Sequence, residues 1–216
     1  MTAPPRAVDR LLAGRRPRAD ARRNVERLVA AARQTAAEVG GEVTAHEIAR
    51  RAGVGVGTFY RNAGSLEALL EAVLEEIIGE ILAEADHALA DPDPWEGLCR
   101  FAASYARLRN ELCDINEALG DALGQARGEL RDRIGRVVVR AQDAGAVRAD
   151  VTWQDVAFLL VSVSTGPHTL GLRAGDRQWE RNLRIVLDGL RTTAPGELPG
   201  EPPAVPDQAP EPSLRR

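Results

Sequence analysis

The stretch "AGVGVGTFYRNAGS", residues 52–65, decides the fold, because its glycines suit either a phosphate-cradling loop or a turn between helices. A dinucleotide fingerprint sets Gly-x-Gly-x-x-Gly between a buried strand and a helix, so that main-chain N–H groups approach a pyrophosphate. Counting from Gly53 puts Thr58 where the third glycine belongs, and counting from Gly55 puts Tyr60 there. No Gly-Lys-Ser/Thr follows, which removes the P-loop. The preceding Thr44-Ala45-His46-Glu47-Ile48-Ala49-Arg50-Arg51 has helical character, so the glycines read as a turn between two helices.

Local signals on both sides agree. Thr44 to Glu47 fits a capping box, in which the Thr hydroxyl accepts from the N3 backbone N–H and Glu47 reaches back to the N–H of Thr44. The short helix this starts runs to about Ala52. Gly53 then takes a left-handed conformation, Val54 fills the crevice between the flanking helices, and Gly55 caps a helix over Val56 to Arg61. Two short helices joined by such a turn make a helix-turn-helix. Upstream, Val25, Leu28, Val29, Ala32, Ala36 and Val39 recur at helical steps until Gly40-Gly41. Downstream, Ser65 caps a long helix carrying Leu66, Leu69, Leu70, Val73, Leu74, Ile77, Ile78, Ile81, Leu82 and Ala85, which Asp91-Pro92-Asp93-Pro94 stops.

Further helices are expected at about 95–110, 114–124, 127–144, 152–172 and 176–192, with Pro167 kinking the fourth of these. Almost no segment alternates with period two. The fold class is therefore all-α: an N-terminal three-helix helix-turn-helix domain, followed by a larger helical domain. Residues 1–17 read as a flexible basic arm, 18–64 as the helix-turn-helix domain, 65–193 as the larger domain, and 194–216 as a disordered Pro-rich tail without assigned function.

Composition narrows the partners. Residues 1–61 hold twelve arginines against six acidic residues, whereas the remainder holds sixteen against twenty-six. Only the front end suits a polyanion. Every cation is arginine, a bias that weakens the significance of arginine at any single site. No signal peptide and no run of the length of a membrane span is evident, so a cytoplasmic protein is expected. Cys99 and Cys113 fall within apolar helical patterns and read as small buried hydrophobes.

At "TAHEIARRAGVGVGTFYRNAGSLEALLEAV", residues 44–73, and back through "RRNVERLVAAARQTAAEVG", the chain resembles the tetracycline-repressor (TetR) family of bacterial transcription regulators. Ala52-Gly53-Val54, Gly57-Thr58-Phe59-Tyr60 and Glu67-Ala68-Leu69-Leu70 carry the resemblance, in the family's order and spacing. Three positions depart from it. Gly55 stands where a polar cap is common, Ala63 where a large apolar residue is usual, and Leu66 where Lys or Arg often contacts phosphate.

The candidate DNA face follows from the groove as well as from the motif. A helix entering a major groove about 12 Å wide needs a small leading turn and a few side chains that reach bases or phosphates. Val56, Gly57 and Thr58 supply that turn; Thr58 adds a hydroxyl and a methyl, Tyr60 aims a phenol at phosphate, and Phe59 belongs to the core. His46 and Arg61 are further candidates, as is Thr44 in addition to its capping role. Arg22 and Arg23, with Arg15, Arg16 and Arg18, either neutralise phosphates or form a solvated run. One short helix gives too little affinity alone, so a homodimer reading two half-sites is expected.

The resemblance implies that the last two long helices form the dimer seam, through Phe158, Leu159, Val163 and Leu170 on one and Trp179, Leu183, Val186, Leu187 and Leu190 on the other. It also implies an unknown small-molecule effector among the middle helices, which makes 18–64 a helix-turn-helix DNA-binding domain and 65–193 a helical ligand-binding and dimerisation domain. Phe101, Tyr105, Cys113, Asn116, Phe158, Ser162, Thr165 and His168 mix apolar walls with sparse polar groups, as pockets do. The expected function is a ligand-responsive regulator, most simply a repressor on a palindromic operator. Two other readings stay open: a sensor or partner-binding bundle whose DNA face has degenerated, resting on Gly55, Ala63 and Leu66, and a helical-bundle metal enzyme. The second has a single Glu-x-x-His, Glu84 to His87, against the two that a di-metal site requires. No catalytic residue, metal or cofactor is assigned.

Overall fold

The computed structural model describes residues 7–14, 19–39, 43–110, 124–163, 168–175, 177–191 and 196–203. Their helices are α1 (Ala7–Leu11), α2 (Ala19–Val39), α3 (Ala45–Arg51), α4 (Val56–Ala63), α5 (Leu66–Ala90), α6 (Pro94–Asn110), α7 (Gly124–Asp143), α8 (Trp153–Ser162) and α9 (Gln178–Leu190), with β1 (His168–Thr169) and β2 (Leu172–Arg173) between the last two. The chain is all-α in class. The helix expected at 114–124 and the kink at Pro167 lie outside the described residues.

A head and a larger bundle share α5. In the head, α2 packs against α3, α4 and α5, and Leu28, Ile48, Phe59 and Leu69 are among its fully buried side chains. The 25 residues of α5 span about 37 Å at 1.5 Å per residue, enough to enter both parts. The head packs on it through α1, α2 and α4, while α6 and α7 pack against it as well. Ser65 caps it by accepting from the N–H of Ala68 at 3.1 Å. Asp93 starts α6 by accepting from Trp95 at 2.8 Å, with Pro94 at the first helical position. Gly97 is obligatory there, because a Cβ would lie 2.6 Å from the Ala88 carbonyl oxygen. The guanidinium of Arg191 sits 4.5 Å above the Trp95 ring and ties the end of α9 to the start of α6.

Three sequence expectations are corrected. Within the supposed flexible arm, residues 7–11 are helical, with Ala7 and Val8 buried against α5 and Arg10 paired with Glu71 at 3.0 Å and with Glu75. The helix expected over 152–172 ends at Ser162, and a hairpin follows. Leu170 and Gly171 have φ of 49° and 76°, the two left-handed positions of a two-residue hairpin turn, and a helix cannot pass through them. Thr44 accepts from Glu47 N–H at 3.2 Å as expected, but the Glu47 carboxylate turns to Arg50 and Arg51 instead of Thr44. A reciprocal box forms instead at Thr152 and Asp155. Residues 196–203 of the tail have neither helix nor strand, and Leu198 and Pro199 line a groove of the bundle.

Candidate nucleic-acid interface

The helix-turn-helix is built as its residues dictate. The hydroxyl of Thr44 starts α3, and the Val54 N–H returns to the Ala49 carbonyl at 3.0 Å. Gly53 between them has φ of 65°, a conformation in which any Cβ is strained. Gly55 caps α4 through its backbone alone, its carbonyl accepting from Thr58 at 2.8 Å and Phe59 at 3.0 Å. The positive φ of Gly64, 81°, ends the helix.

α4 then presents two faces at helical spacing. Val56, Phe59 and Ala63 turn inward; Phe59 is 0% exposed. Gly57, Tyr60, Arg61 and Gly64 turn outward, with Tyr60 49% exposed, while Thr58 is half-buried at the edge. A Cβ on Gly57 would meet nothing within 4 Å, so that turn is open to close approach. The Tyr60 ring leans edge-on against Phe59, with centroids 5.2 Å apart and an 81° angle between planes. Arg61 donates to the Thr58 hydroxyl at 2.9 Å, leaving the Thr58 O–H proton available to an external acceptor.

Thr44 and His46 are exposed at the start of α3, with Arg50 one turn beyond His46. Arg50 was not singled out from the sequence. It is held bidentate by Glu47 at 2.9 and 2.7 Å, and the two arginines Arg50 and Arg51 keep the Glu47 carboxyl down at about 2. Arg51 also reaches Glu38 at 2.6 Å, which ties α3 to α2. Arg27 was likewise missed; it is exposed, and its guanidinium lies 3.9 Å from the Cβ position of Gly53. Arg22 and Arg23 are exposed on α2 but engaged within the chain, Arg22 by Asp9 at 3.1 Å and Glu26 at 3.3 Å, Arg23 by Asp20. Arg15, Arg16 and Arg18 lie outside the described residues. Leu66 packs half-buried against the head core, so an apolar contact stands where a cation is common.

Among the described residues, the expected pocket side chains divide between two places. Phe101 is buried with Tyr105 beside it at 5.9 Å between centroids. Phe158 and Ser162 instead line an open groove of about 640 Å³ between α8 and α9, together with Val151, Leu159, Ile185, Val186 and Gly189. Cys113, Asn116, Thr165 and the side chain of His168 lie outside the described residues. Cys99 is half-buried, and desolvation pushes its thiol up to about 11. Among the described residues no group of three metal-ligand side chains occurs, and no helix is long and apolar enough to cross a membrane.

The expected seam divides in the same way. Val163, Leu183, Leu187 and Leu190 are buried in the chain's own core, and Leu170 is exposed at the hairpin tip. Phe158 is 64% exposed, and Ile185, which the sequence reading passed over, is 69% exposed on the facing helix. Position on an amphipathic helix marks an apolar side chain but not which neighbour covers it.

Comparison with known proteins bears on this arrangement. The family description "Bacterial regulatory proteins, tetR family" matches residues 28–73, and "Transcriptional regulator SbtR-like, C-terminal domain" matches residues 95–192. No curated protein matches the chain. A TetR transcriptional regulator of Streptomyces coelicolor is 30% identical, with 79% of this chain and 99% of that one covered and a TM-score of 0.58. A TetR transcription regulatory protein of Mycobacterium vanbaalenii is 34% identical over 81% and 98% of the two chains, with a TM-score of 0.52. With such identity along nearly the full length of two solved regulators, and a helix-turn-helix head where their family description falls, the chain belongs to the TetR family of bacterial transcriptional regulators.

Proposed function

We propose that the protein is a homodimeric repressor that occludes a promoter by binding a palindromic operator, and that a small molecule held by the bundle releases it. The carrying observation is the outer face of α4, where Gly57, Tyr60 and Arg61 stand clear of a helix anchored by fully buried Phe59. Val56 and Thr58 border that face, and Thr44, His46 and Arg50 extend it along the start of α3. The residues combine a small approach surface, hydroxyl donors and cations, which is the chemistry of groove entry and phosphate contact. Arg22, Arg23 and Arg27 on α2 supply flanking charge, the first two after exchange of an internal carboxylate for a phosphate.

The open face around Phe158 and Ile185 supports the second subunit. Exposed aromatic and branched side chains of this size on paired helices are characteristic of a protein–protein contact. Effector control requires that the ligand bind one arrangement of the two heads better than another. Of the expected pocket residues, Phe101 and Tyr105 remain the interior candidates. The reading is of a binding protein, acting in the cytoplasm where its DNA is. Titration of a duplex from upstream of its own coding region, repeated across salt, tests it: affinity falls steeply with salt if phosphates are neutralised. Absence of binding at low salt would favour a degenerate DNA face.

A further inference from the structure

Residues 196–203, part of the Pro-rich tail to which the sequence assigns no function, lie on the bundle beside the exposed face of α8 and α9. Leu198 and Pro199 line the same groove as Phe158, Ser162, Ile185 and Val186. The segment is pinned at its start, where Arg148 donates to the Gly196 carbonyl at 2.8 Å. Arg148 is itself fixed, by Asp150 at 2.6 Å through both nitrogens and by its own N–H to the Leu190 carbonyl at 2.9 Å. The anchor therefore belongs to the end of α9 as much as to the loop before α8.

The seated segment leaves the face open. With it in place Phe158 and Ile185 remain 64% and 69% exposed, and Leu198 adds a side chain that is 43% exposed. Leu198 and Pro199 of this strap thus stand beside Phe158 and Ile185 along one apolar groove. Pro199, Pro202 and Pro203 restrict the backbone of the strap, which lowers the entropy lost when it is held.

We infer that the strap, residues 196–203, is part of the surface that receives a second copy of this chain, with Leu198 and Pro199 extending the contact centred on Phe158 and Ile185. The inference rests on the dimer face proposed above. In a twofold arrangement each strap residue is covered twice, once in each subunit, so small contacts count double. Leu198 then buries its remaining apolar surface against the partner.

Sedimentation equilibrium on four proteins tests this: the full chain, a chain ending at Pro195, Leu198→Asp and Phe158→Glu. The full chain dimerises and Phe158→Glu is monomeric at the same concentration. Truncation and Leu198→Asp each weaken the dimer about tenfold, which is about 1.4 kcal/mol, without change in helical circular dichroism. If the truncated chain loses helical signal at low temperature, Leu198→Asp alone decides. Unchanged dimerisation in the strap variants overturns the inference and leaves the dimer face standing. Tighter dimerisation also overturns it, since the strap would then obstruct the partner. A monomeric full chain, or a dimer indifferent to Phe158→Glu, removes the face itself and the strap with it.

Discussion

Replacing Tyr60 by Phe takes one hydroxyl from the outer face of α4 and leaves the ring. That ring is placed by its edge-on contact with Phe59 at 5.2 Å, which Phe preserves, so folding stability should change by less than about 0.5 kcal/mol. On a duplex the bond removed runs from a phenol to a charged phosphate oxygen. Such a bond contributes about 1.5 kcal/mol at the lower end of its range. Both subunits give it up together, a total of about 3 kcal/mol, or on the order of 100-fold in operator affinity. Because the phenol is uncharged, the slope of log affinity against log salt stays as in the parent. Arg61→Gln is the contrasting variant: it should flatten that slope by about 0.9 for each phosphate left without its cation. Fluorescence anisotropy with a labelled operator, over a series of salt concentrations, measures both quantities. A Tyr60→Phe protein binding within about twofold of the parent, in the range of ordinary surface substitutions, would remove Tyr60 from the interface.

Two further outcomes concern the head. The folded Glu47 carboxyl sits near 2 instead of 4.5, first because of its hydrogen bonds from Arg50 and then those from Arg51. Its contribution is complete above pH 4.5 and disappears as pH falls toward 2, so Glu47→Gln should flatten the fall in melting temperature over that window; parallel curves for the two proteins would refute the assignment. Arg33 on α2 grips Glu80 on α5 at 2.8 and 3.1 Å, with Glu76 at 3.5 Å, in a largely shielded position. Arg33→Met should cost about 1–2 kcal/mol, between the values for exposed and buried pairs, in chemical denaturation of the whole chain; a change below about 0.5 kcal/mol, the level of an exposed pair, would show that this pair does not hold the head to α5.

The head was legible in the sequence because its signals are local. Thr44, Gly53 and Ser65 each act within a few residues of themselves, and the apolar step of α2 and α5 needs no partner to be recognised. The misses are of two physical kinds. Leu170 at a φ of 49° is a conformation that leucine rarely takes, so an apolar run there looked helical. The rest concern who meets whom. Ile185 and Leu187 are alike in sequence, yet the first is exposed and the second buried. Arg22 and Arg23 advertise charge but not that Asp9, Glu26 and Asp20 already hold it. α1 is five residues long, and what keeps Ala7 and Val8 in place lies on α5, far along the chain.

Selection of bound sequences from a pool of random duplexes shows whether two copies of α4 read DNA as a twofold pair. The expected result is enrichment of an inverted repeat whose half-site centres are separated by about one helical turn, roughly 34–36 Å, or a multiple of it, with enrichment abolished in Tyr60→Phe combined with Arg61→Gln. A pool that stays random at low salt, or an enriched site without twofold symmetry, would contradict it.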